Sequence, residues 1–150
     1  MIHKIDPRLL SRQVDVALVG VGGNGSQMLT GLARLHMALL ALGHPGGLRV
    51  TAWDPDRVSE ANVGRQMFSP ADVGLNKAVV LVHRLNAFYG LNWEAKPVAY
   101  AHEEYSRRDL VISCVDTAAA RRDIHKLIEK LAPVSYVVDH SYWLDLGNRQ

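Results

Sequence analysis

The apolar residues of the chain fall into two kinds of stretch, which alternate along the sequence. Short continuous apolar runs are typical of strands that are covered on both faces, as in a parallel sheet. Residues 14–20 form such a run apart from Asp15, and shorter, mainly apolar segments that predict strands occupy residues 48–53, 110–115 and 134–139. Apolar residues at helical spacing lie between these runs, over residues 24–42, 76–89 and 118–131. This alternation predicts an α/β, Rossmann-like fold of three layers, with a mostly parallel sheet and helices on both faces.

The helical stretches also predict which side chains each helix buries. In the first helix the inward residues are Met28, Leu32, Leu35, Leu39 and Leu42. In the second helix they are Ala78, Val82 and Leu85, and in the third they are Ile124, Leu127, Ile128 and Leu131. The basic residues of the third helix, which we expect to face solvent, are Arg121, Arg122, Lys126 and Lys130.

The remaining segments have weaker patterns. Residues 57–73 have no clean periodicity and predict a long functional loop with short helical turns. Residues 93–100 predict a strand that Pro97 weakens, and residues 102–108 predict a short polar helix or turn. The tail, residues 142–150, contains no stop signal and carries no predicted element.

The composition is that of an ordinary globular protein. At 150 residues the chain is expected to form one domain with a buried core. A formal net charge of +2 gives no argument for nucleic-acid or membrane binding. The single cysteine excludes an internal disulfide framework and fits a reducing compartment. The polar N-terminus is unlike a signal peptide, and no apolar run approaches the roughly 20 residues that cross a bilayer. We therefore expect a cytoplasmic protein.

A glycine turn follows the first predicted strand. Gly20, Gly22 and Gly25 satisfy the pattern G-x-G-x-x-G, and Gly23 adds a further glycine. With a strand before it and a helix after it, such a turn lets backbone N–H groups and a helix N-terminus approach a phosphate closely. The stretch therefore predicts a nucleotide site. The alternative is a tight strand-to-helix turn without a ligand.

Acidic residues end the second predicted strand. Asp54 stands where a carboxylate accepts hydrogen bonds from ribose hydroxyls, and the alternative is a solvated turn aspartate before a proline. Two roles are possible for Asp56: a second polar contact with the ligand, or a turn or capping residue. Because ligands of parallel sheets bind at the carboxyl ends of the strands, we expect both residues to lie near the glycine turn.

Two cations and a further carboxylate favour a triphosphate over a dinucleotide. Arg65 lies in the long loop and Lys77 at the start of the second helix. Arginine can hold the charge of a departing pyrophosphate bidentately, and lysine supplies a point charge. Asp116 follows the strand over residues 110–115, where its carboxylate could hold magnesium. The alternatives are solvated surface positions for the two cations and a helix cap for Asp116.

Together these segments resemble the ThiF/MoeB/ubiquitin-activating superfamily. The resemblance rests on residues 20–26 (GVGGNGS), 54–56 (DPD), 62–66 (NVGRQ), Lys77 and 114–116 (CVD). It covers residues 14–140. The sequences of residues 6–12 and 142–148 further resemble the ThiF-like protein family of bacterial PRTRC plasmid systems.

This resemblance implies binding of ATP with Mg²⁺ and adenylation of the C-terminal carboxylate of a ubiquitin-like or sulfur-carrier protein, with release of pyrophosphate. It implies that the nucleotide is bound by Gly20, Gly22, Gly23, Gly25, Asp54, Asp56, Asn62, Arg65, Gln66 and Lys77. Asp54 would hold the ribose, and Asp116 would bind the magnesium ion. Arg65, Lys77 and Asp116 would act in catalysis by positioning and charge stabilisation, without a protein nucleophile. The resemblance also implies a homodimer.

The chain departs from the superfamily pattern in three respects. In relatives, an arginine from an N-terminal segment reaches across a dimer into the partner's site. Few residues precede the first strand here, and the candidates for this arginine are Arg8 and Arg12. No cysteine follows Cys114, itself predicted to be a buried core residue, so a thioester step has no candidate. The superfamily fold continues with further strands beyond the equivalent of Gln150. We therefore expect the chain to be the N-terminal part of an adenylation domain, with an exposed sheet edge that favours dimerisation.

Two other functions stay open at this point. An NAD-dependent oxidoreductase would share the glycine turn and the acidic residue at the end of the second strand. A non-catalytic nucleotide-binding or scaffold module of a plasmid-encoded assembly would share the whole site without turnover.

Overall fold

The computed structural model describes residues 4–100, 108–131 and 142–147, and every structural statement concerns these residues. They form a sheet of five strands, all parallel, in the order β3-β2-β1-β4-β5. The strands are β1 (Val14–Val19), β2 (Leu48–Trp53), β3 (Glu94–Lys96), β4 (Leu110–Ser113) and β5 (Tyr142–Asp145). The helices are α1 (Gly23–Ala41), α2 (Lys77–Tyr89) and α3 (Ala118–Leu131). Short 3₁₀ turns cover Pro7–Leu10, Glu60–Asn62 and Pro70–Asp72.

Helices lie on both faces of the sheet, which confirms the predicted α/β, Rossmann-like fold. One core cluster joins the sheet to α1 and α2 and includes Leu18 and Ile112. The other joins the sheet to α3 and includes Ala17, Val111 and Ile124. Because successive side chains of a strand point to opposite faces, each central strand supplies residues to both clusters. This is why the central strands are mainly apolar on both faces.

The strands differ from the prediction at the two edges of the sheet. The sequence analysis assigns no element to residues 142–150, whereas in the structure Tyr142–Asp145 forms β5 and pairs with β4. The apolar run of β5 is only three residues long, Tyr142 to Leu144, and a run this short does not by itself indicate a strand. At the other edge, β3 has only three residues and ends before Pro97, which lacks a backbone N–H for the ladder. The predicted strand over residues 134–139 lies outside the described residues, as does the predicted short helix or turn over 102–108 except for its last residue.

Helix α1 is rotated relative to the predicted face. The predicted inward residues Leu35 and Leu42 are 48% and 86% exposed, whereas Leu29 and Ala33 are fully buried. The buried positions follow from Gly25, which lies against the sheet and which is followed at helical spacing by the buried residues. The close crossing at this glycine therefore sets the rotation of the helix, which periodicity alone did not indicate.

The other two helices follow the prediction more closely. Ala78 and Val82 of α2 and Ile124 of α3 are buried, as predicted. Arg121 is an exception to the expected basic outer face of α3, because its side chain is only 19% exposed and it donates to the carbonyl oxygen of Val115. The side chains of residues 130 and 131 lie outside the description. Among the helices of the described ranges, none combines the length and apolarity needed to cross a membrane.

Two ion pairs make the fold sensitive to acid. Arg12 lies 2.6 Å from Asp109 at the start of β4, and Arg84 lies 2.8 Å from Asp72 in the long loop. Burial raises the pKa of Asp109, but the Arg12 guanidinium and the Asp15 N–H outweigh it, so the pKa is lowered overall. The pKa of Asp72 is lowered, mainly by the hydrogen bond from the Ser69 N–H and to a smaller extent by Arg84.

We expect this stabilisation to disappear in acid. A carboxyl whose folded-state pKa is lowered stabilises the fold above its unfolded pKa, and the contribution is lost as the pH falls through the folded pKa. The free energy of unfolding, measured by urea titration between about pH 6 and pH 3, should therefore fall more steeply for the wild type than for Asp109→Asn. Parallel pH profiles for the two proteins would contradict this assignment.

Candidate functional site

A cavity of about 580 Å³ opens at the carboxyl edge of the sheet, between the glycine turn, the end of β2 and the β4–α3 loop. This is the edge at which ligands of parallel sheets bind. The predicted site residues that line it are Gly20, Gly22, Gly23, Asp54, Asp56, Arg65, Gln66, Lys77 and Asp116. Two predicted site residues, Gly25 and Asn62, are not among the lining residues.

The glycine turn presents bare backbone to the cavity. Gly20 has a φ of 85°, a conformation that favours glycine, and its N–H donates to the carbonyl oxygen of Trp53 at 2.8 Å. Gly22 is the N-cap of α1, so no side chain satisfies the first N–H groups of the helix. A Cβ at Gly23 would meet no atom within 4 Å, so the backbone there faces open space. An uncapped helix N-terminus beside a cavity is suited to an anionic ligand.

Gly25 serves the crossing between β1 and α1 instead of lining the cavity. A Cβ built at this position would overlap the carbonyl oxygen of Gly20. The helix can therefore lie this close to the end of the strand only because residue 25 has no side chain. This crossing fixes the direction in which the N-terminus of α1 points.

Asp54 is 5% exposed and connects the end of β2 to the glycine turn. One carboxylate oxygen accepts the Val21 N–H at 2.7 Å, and the other accepts the Asp56 N–H at 2.9 Å. Burial raises the pKa of Asp54, and these two N–H groups act against that rise. The carboxylate is therefore held rigidly at the cavity wall.

Lys77 is held in place by the residues around the start of α2. Its ammonium group lies 3.2 Å from a carboxylate oxygen of Asp56, and the residue is 8% exposed. Asn76 caps the helix by accepting the Val79 N–H, and its side-chain amide donates to the carbonyl oxygens of Asp54 and Asp56. Asp56 therefore acts as the partner of Lys77. Asn76 was not among the predicted residues, although an asparagine just before a helix is a recognisable capping signal.

The long loop brings two of its three predicted residues to the cavity. Arg65 is exposed and lines the cavity. Gln66 also lines it, and its buried Oε1 has no hydrogen-bond partner within the structure as described. Asn62 instead accepts hydrogen bonds from the N–H and hydroxyl of Ser59 and so caps the turn Glu60–Asn62.

Asp116 lies in the loop between β4 and α3. The hydroxyl of Thr117, and not the Asp116 carboxylate, caps α3 by accepting the Ala120 N–H at 3.2 Å. Asp116 is exposed, lines the cavity, and makes no hydrogen bond or ion pair in the part of the chain that the structure describes. One uncommitted carboxylate beside a phosphate site is the arrangement that Mg²⁺ uses with nucleotides. The residues present therefore fit that ion.

Cys114 lies at the same end of the sheet and also lines the cavity. It packs against the core as well, so it is only partly the buried core residue that the sequence predicts. Burial, and then the negative charge of Asp145, raise the pKa of this thiol to about 11. Because the thiolate is the nucleophile, this raised pKa disfavours attack by the cysteine at neutral pH.

The two candidate N-terminal arginines are engaged within their own chain. Arg8 pairs with Asp6 at 2.6 Å, and Arg12 pairs with Asp109 at 2.6 Å. Asp109 precedes β4, so this second pair lies at the amino ends of the strands, whereas the cavity lies at their carboxyl ends. Neither arginine reaches the cavity of its own chain.

Several lining residues were not predicted from the sequence. They are Asn24, Trp53, Ala99, Tyr100, Thr117, Ala120, Asp123 and Ile124, among others. Trp53 is 1% exposed and meets Tyr100 edge to face, with ring centroids 5.0 Å apart. Of the last four, Thr117 caps α3, and Ala120, Asp123 and Ile124 lie in the first two turns of that helix. For Trp53 and Tyr100 no local signal exists, since only the strand order brings them together.

The fold and the position of the cavity define the class: a Rossmann-like α/β domain whose cavity lies at the carboxyl edge of its sheet. Within that class the chain belongs to the ThiF family, whose sequence model matches residues 8–134. The superfamily resemblance is thereby confirmed, and the narrower resemblance to the PRTRC protein stays a prediction.

The chain is similar in sequence to ubiquitin-like modifier-activating enzymes. Ubiquitin-like modifier-activating enzyme 5 of Aedes aegypti is 30% identical over 141 residues, and the match covers 81% of this chain and 32% of the relative. Enzyme 5 of Rattus norvegicus is 31% identical over 80% of this chain and 32% of its own length. The chain thus spans about a third of the length of these relatives.

Solved structures share the fold. The E. coli tRNA N6-threonylcarbamoyladenosine dehydratase TcdA superposes with a TM-score of 0.67 at 19% identity, covering 88% of this chain and 51% of that one. The same enzyme in complex with ATP gives 0.63 at 22% identity, over 78% and 47% of the two chains. E. coli MccB with ATP gives 0.56 at 20% identity, over 78% and 34%.

Proposed function

We propose that this chain binds ATP with Mg²⁺ and that the whole protein adenylates the C-terminal carboxylate of a ubiquitin-like or sulfur-carrier protein, releasing pyrophosphate. The observation that carries the proposal is the arrangement of charge in one cavity. Lys77, Arg65 and Asp116 line the same space as the uncapped N-terminus of α1. A dinucleotide pyrophosphate has no use for this combination, because a free carboxylate beside it would be repelled unless a cation lay between them.

The reaction requires charge to be stabilised on a leaving group. An oxygen of the substrate carboxylate attacks the α-phosphorus of ATP, and the bond from that phosphorus to the bridging oxygen of the β-phosphate breaks. Pyrophosphate leaves with the bonding electron pair, so negative charge grows on the β- and γ-phosphates. Lys77 and Arg65 are the cations placed to stabilise that charge. Mg²⁺ held by Asp116 would neutralise phosphate oxygens.

The remaining residues orient the nucleotide. The backbone of Gly22 and Gly23 would hold the phosphates at the helix N-terminus, and Asp54 would accept hydrogen bonds from the ribose. The apolar lining residues Tyr100 and Ile124 would contact the adenine base. No protein nucleophile takes part in this step, which agrees with the raised pKa of the cavity cysteine.

The relatives support the proposed substrate class. The curated relatives are named for activating ubiquitin-like modifiers, and the TcdA and MccB structures contain ATP. A structure of E. coli MccB, which shares the fold, contains MccA together with the nucleotide analogue AMPCPP. We further propose that the protein acts as a homodimer in the cytoplasm, with the edge strand β5 near the contact.

The direct test is exchange of labelled pyrophosphate into ATP by the full-length protein. Exchange should appear only when a ubiquitin-like or sulfur-carrier protein with a free C-terminus is added. A carrier with an amidated C-terminus is the matched control, since it lacks the attacking carboxylate. Absence of exchange with every candidate carrier would contradict the proposal, and calorimetric binding of NAD without binding of ATP would replace it by an oxidoreductase.

Replacing Asp116 with asparagine should remove the effect of magnesium on nucleotide binding. The change keeps the shape of the side chain but removes the charge that holds the cation. Calorimetry should show that Mg²⁺ tightens ATP binding to the wild type but changes it by less than about twofold in Asp116→Asn. Glu129→Gln, an exposed substitution on α3, is the control and should behave like the wild type. Equal magnesium effects in wild type and Asp116→Asn would exclude the assigned role.

A further inference from the structure

The segment at the end of β5 is connected to two parts of the cavity wall, the first turn of α1 and the β4–α3 loop. We call residues 145–147 the β5 end. Asp145 is the last residue of β5, and its partner across the ladder is Ser113 at the end of β4. The Leu146 N–H continues this pairing by donating to the carbonyl oxygen of Ser113 at 2.8 Å. The segment therefore lies at the same sheet edge as the cavity.

On the side of the β4–α3 loop, the β5 end acts through Arg121. Asp145 accepts the Ser113 hydroxyl at 2.9 Å and the Gly147 N–H at 3.0 Å, and lies 3.4 Å from Nε of Arg121. Arg121 in turn donates to the carbonyl oxygen of Val115 at 3.2 Å. That oxygen belongs to the peptide bond that leads into Asp116, so the arginine fixes the orientation of the backbone that carries the proposed magnesium ligand.

On the side of the glycine turn, the β5 end acts through Asn24. The side-chain amide of Asn24 donates to the carbonyl oxygen of Leu146 at 3.0 Å. Asn24 belongs to the first turn of α1 and lines the cavity. The same three residues therefore hold both the helix N-terminus and the loop before α3.

Gly147 packs closely against Arg121 and the backbone of Val115, so a substitution at this position tests the arrangement. A Cβ at this position would overlap the guanidinium of Arg121 and the carbonyl oxygen of Val115. Since the carbonyl belongs to the backbone, a side chain at residue 147 must displace the loop as well as the arginine. An alanine here alters the contact without changing any charge.

We infer that Arg121 and Asp145 are positioning residues, which hold Asp116 at the distance from the N-terminus of α1 that a magnesium–nucleotide complex requires. This inference rests on the proposed function, because it assigns a purpose to the geometry of the proposed phosphate site. Groups that orient a metal ligand without touching the metal commonly change metal affinity by about tenfold or more when they are replaced.

The test is calorimetric binding of a non-hydrolysable ATP analogue to the full-length protein, with and without Mg²⁺. Gly147→Ala and Asp145→Asn should each reduce the magnesium-dependent gain in affinity by about tenfold. Binding without Mg²⁺ should change by less than about twofold, because neither residue touches the nucleotide. Arg122→Gln removes an exposed neighbouring charge on α3 and should leave both affinities unchanged.

A purely structural role would give a different result. It would lower the melting temperature and weaken binding equally with and without Mg²⁺, and that outcome would overturn the inference. An unchanged magnesium gain in both variants would also overturn it. If the wild type itself binds no ATP analogue, the proposed function fails together with the inference, whereas unchanged variants of a binding-competent wild type contradict the inference alone.

Discussion

Replacing Lys77 with methionine is expected to lower the rate of pyrophosphate exchange by about a hundredfold or more. The ammonium group is one of two cations at the cavity, and it is held by Asp56 at 3.2 Å in a nearly buried position. A cation that is already oriented stabilises growing charge without reorganising, which makes its loss costly in the transition state. Methionine keeps the apolar stem packed, and Asp56 is exposed enough to remain solvated.

The control for this prediction is Lys126→Met, which removes an exposed lysine of α3 that is not among the residues lining the described cavity. Exchange by this variant should match the wild type. Calorimetry of ATP binding separates the two effects of Lys77, since a transition-state role lowers the exchange rate by more than it weakens binding. Exchange within about threefold of the wild type would show that the lysine is structural.

Replacing Gly25 with alanine is expected to destabilise the protein by about 3 kcal/mol. The added methyl group would overlap the carbonyl oxygen of Gly20, which is backbone and cannot rotate away. Helix α1 must then move away from β1, and both the core contacts and the direction of its N-terminus change. Urea unfolding should show the loss of stability, and ATP binding should weaken in the fraction that remains folded.

Gly31→Ala provides a matched control within the same helix. A Cβ at Gly31 meets no atom within 4 Å, and the residue has no positive φ. Alanine is a better helix former than glycine, so this variant should gain about 0.5–1 kcal/mol of stability. A Gly25→Ala protein as stable as Gly31→Ala would show that the close crossing does not limit the approach of helix and strand.

The sequence predicted the features that depend on local pattern. The central strands, the three helices and the glycine turn each have a periodicity or composition that belongs to one kind of structure. The topological rule for parallel sheets then placed Gly20, Asp54 and Asp116 at one edge, and the structure brings all three to one cavity. Their assigned chemical roles remain predictions until binding is measured.

The features that were missed depend on contacts between distant residues. The rotation of α1 follows from one glycine touching the sheet, which outweighs the apolar stripe that contains Leu35 and Leu42. The strand β5 is short and partly exposed, so it carries no strong pattern of its own. Asn62 and Arg121 were assigned by residue type, but the hydrogen bonds they make are fixed by their neighbours in space.

The position of β1 has a consequence for how the chain folds. It lies between β2 and β4, and the hydrogen bond from the Asp15 N–H to Asp109 spans 94 residues. On the ribosome, β1 and β2 can pair early, but one edge of β1 stays open until β4 has emerged. Closing so long a loop is slow, and an open apolar strand edge invites association with other chains. Production of the protein should therefore depend on protection of β1 during synthesis, and its yield should fall when translation outpaces chaperone supply.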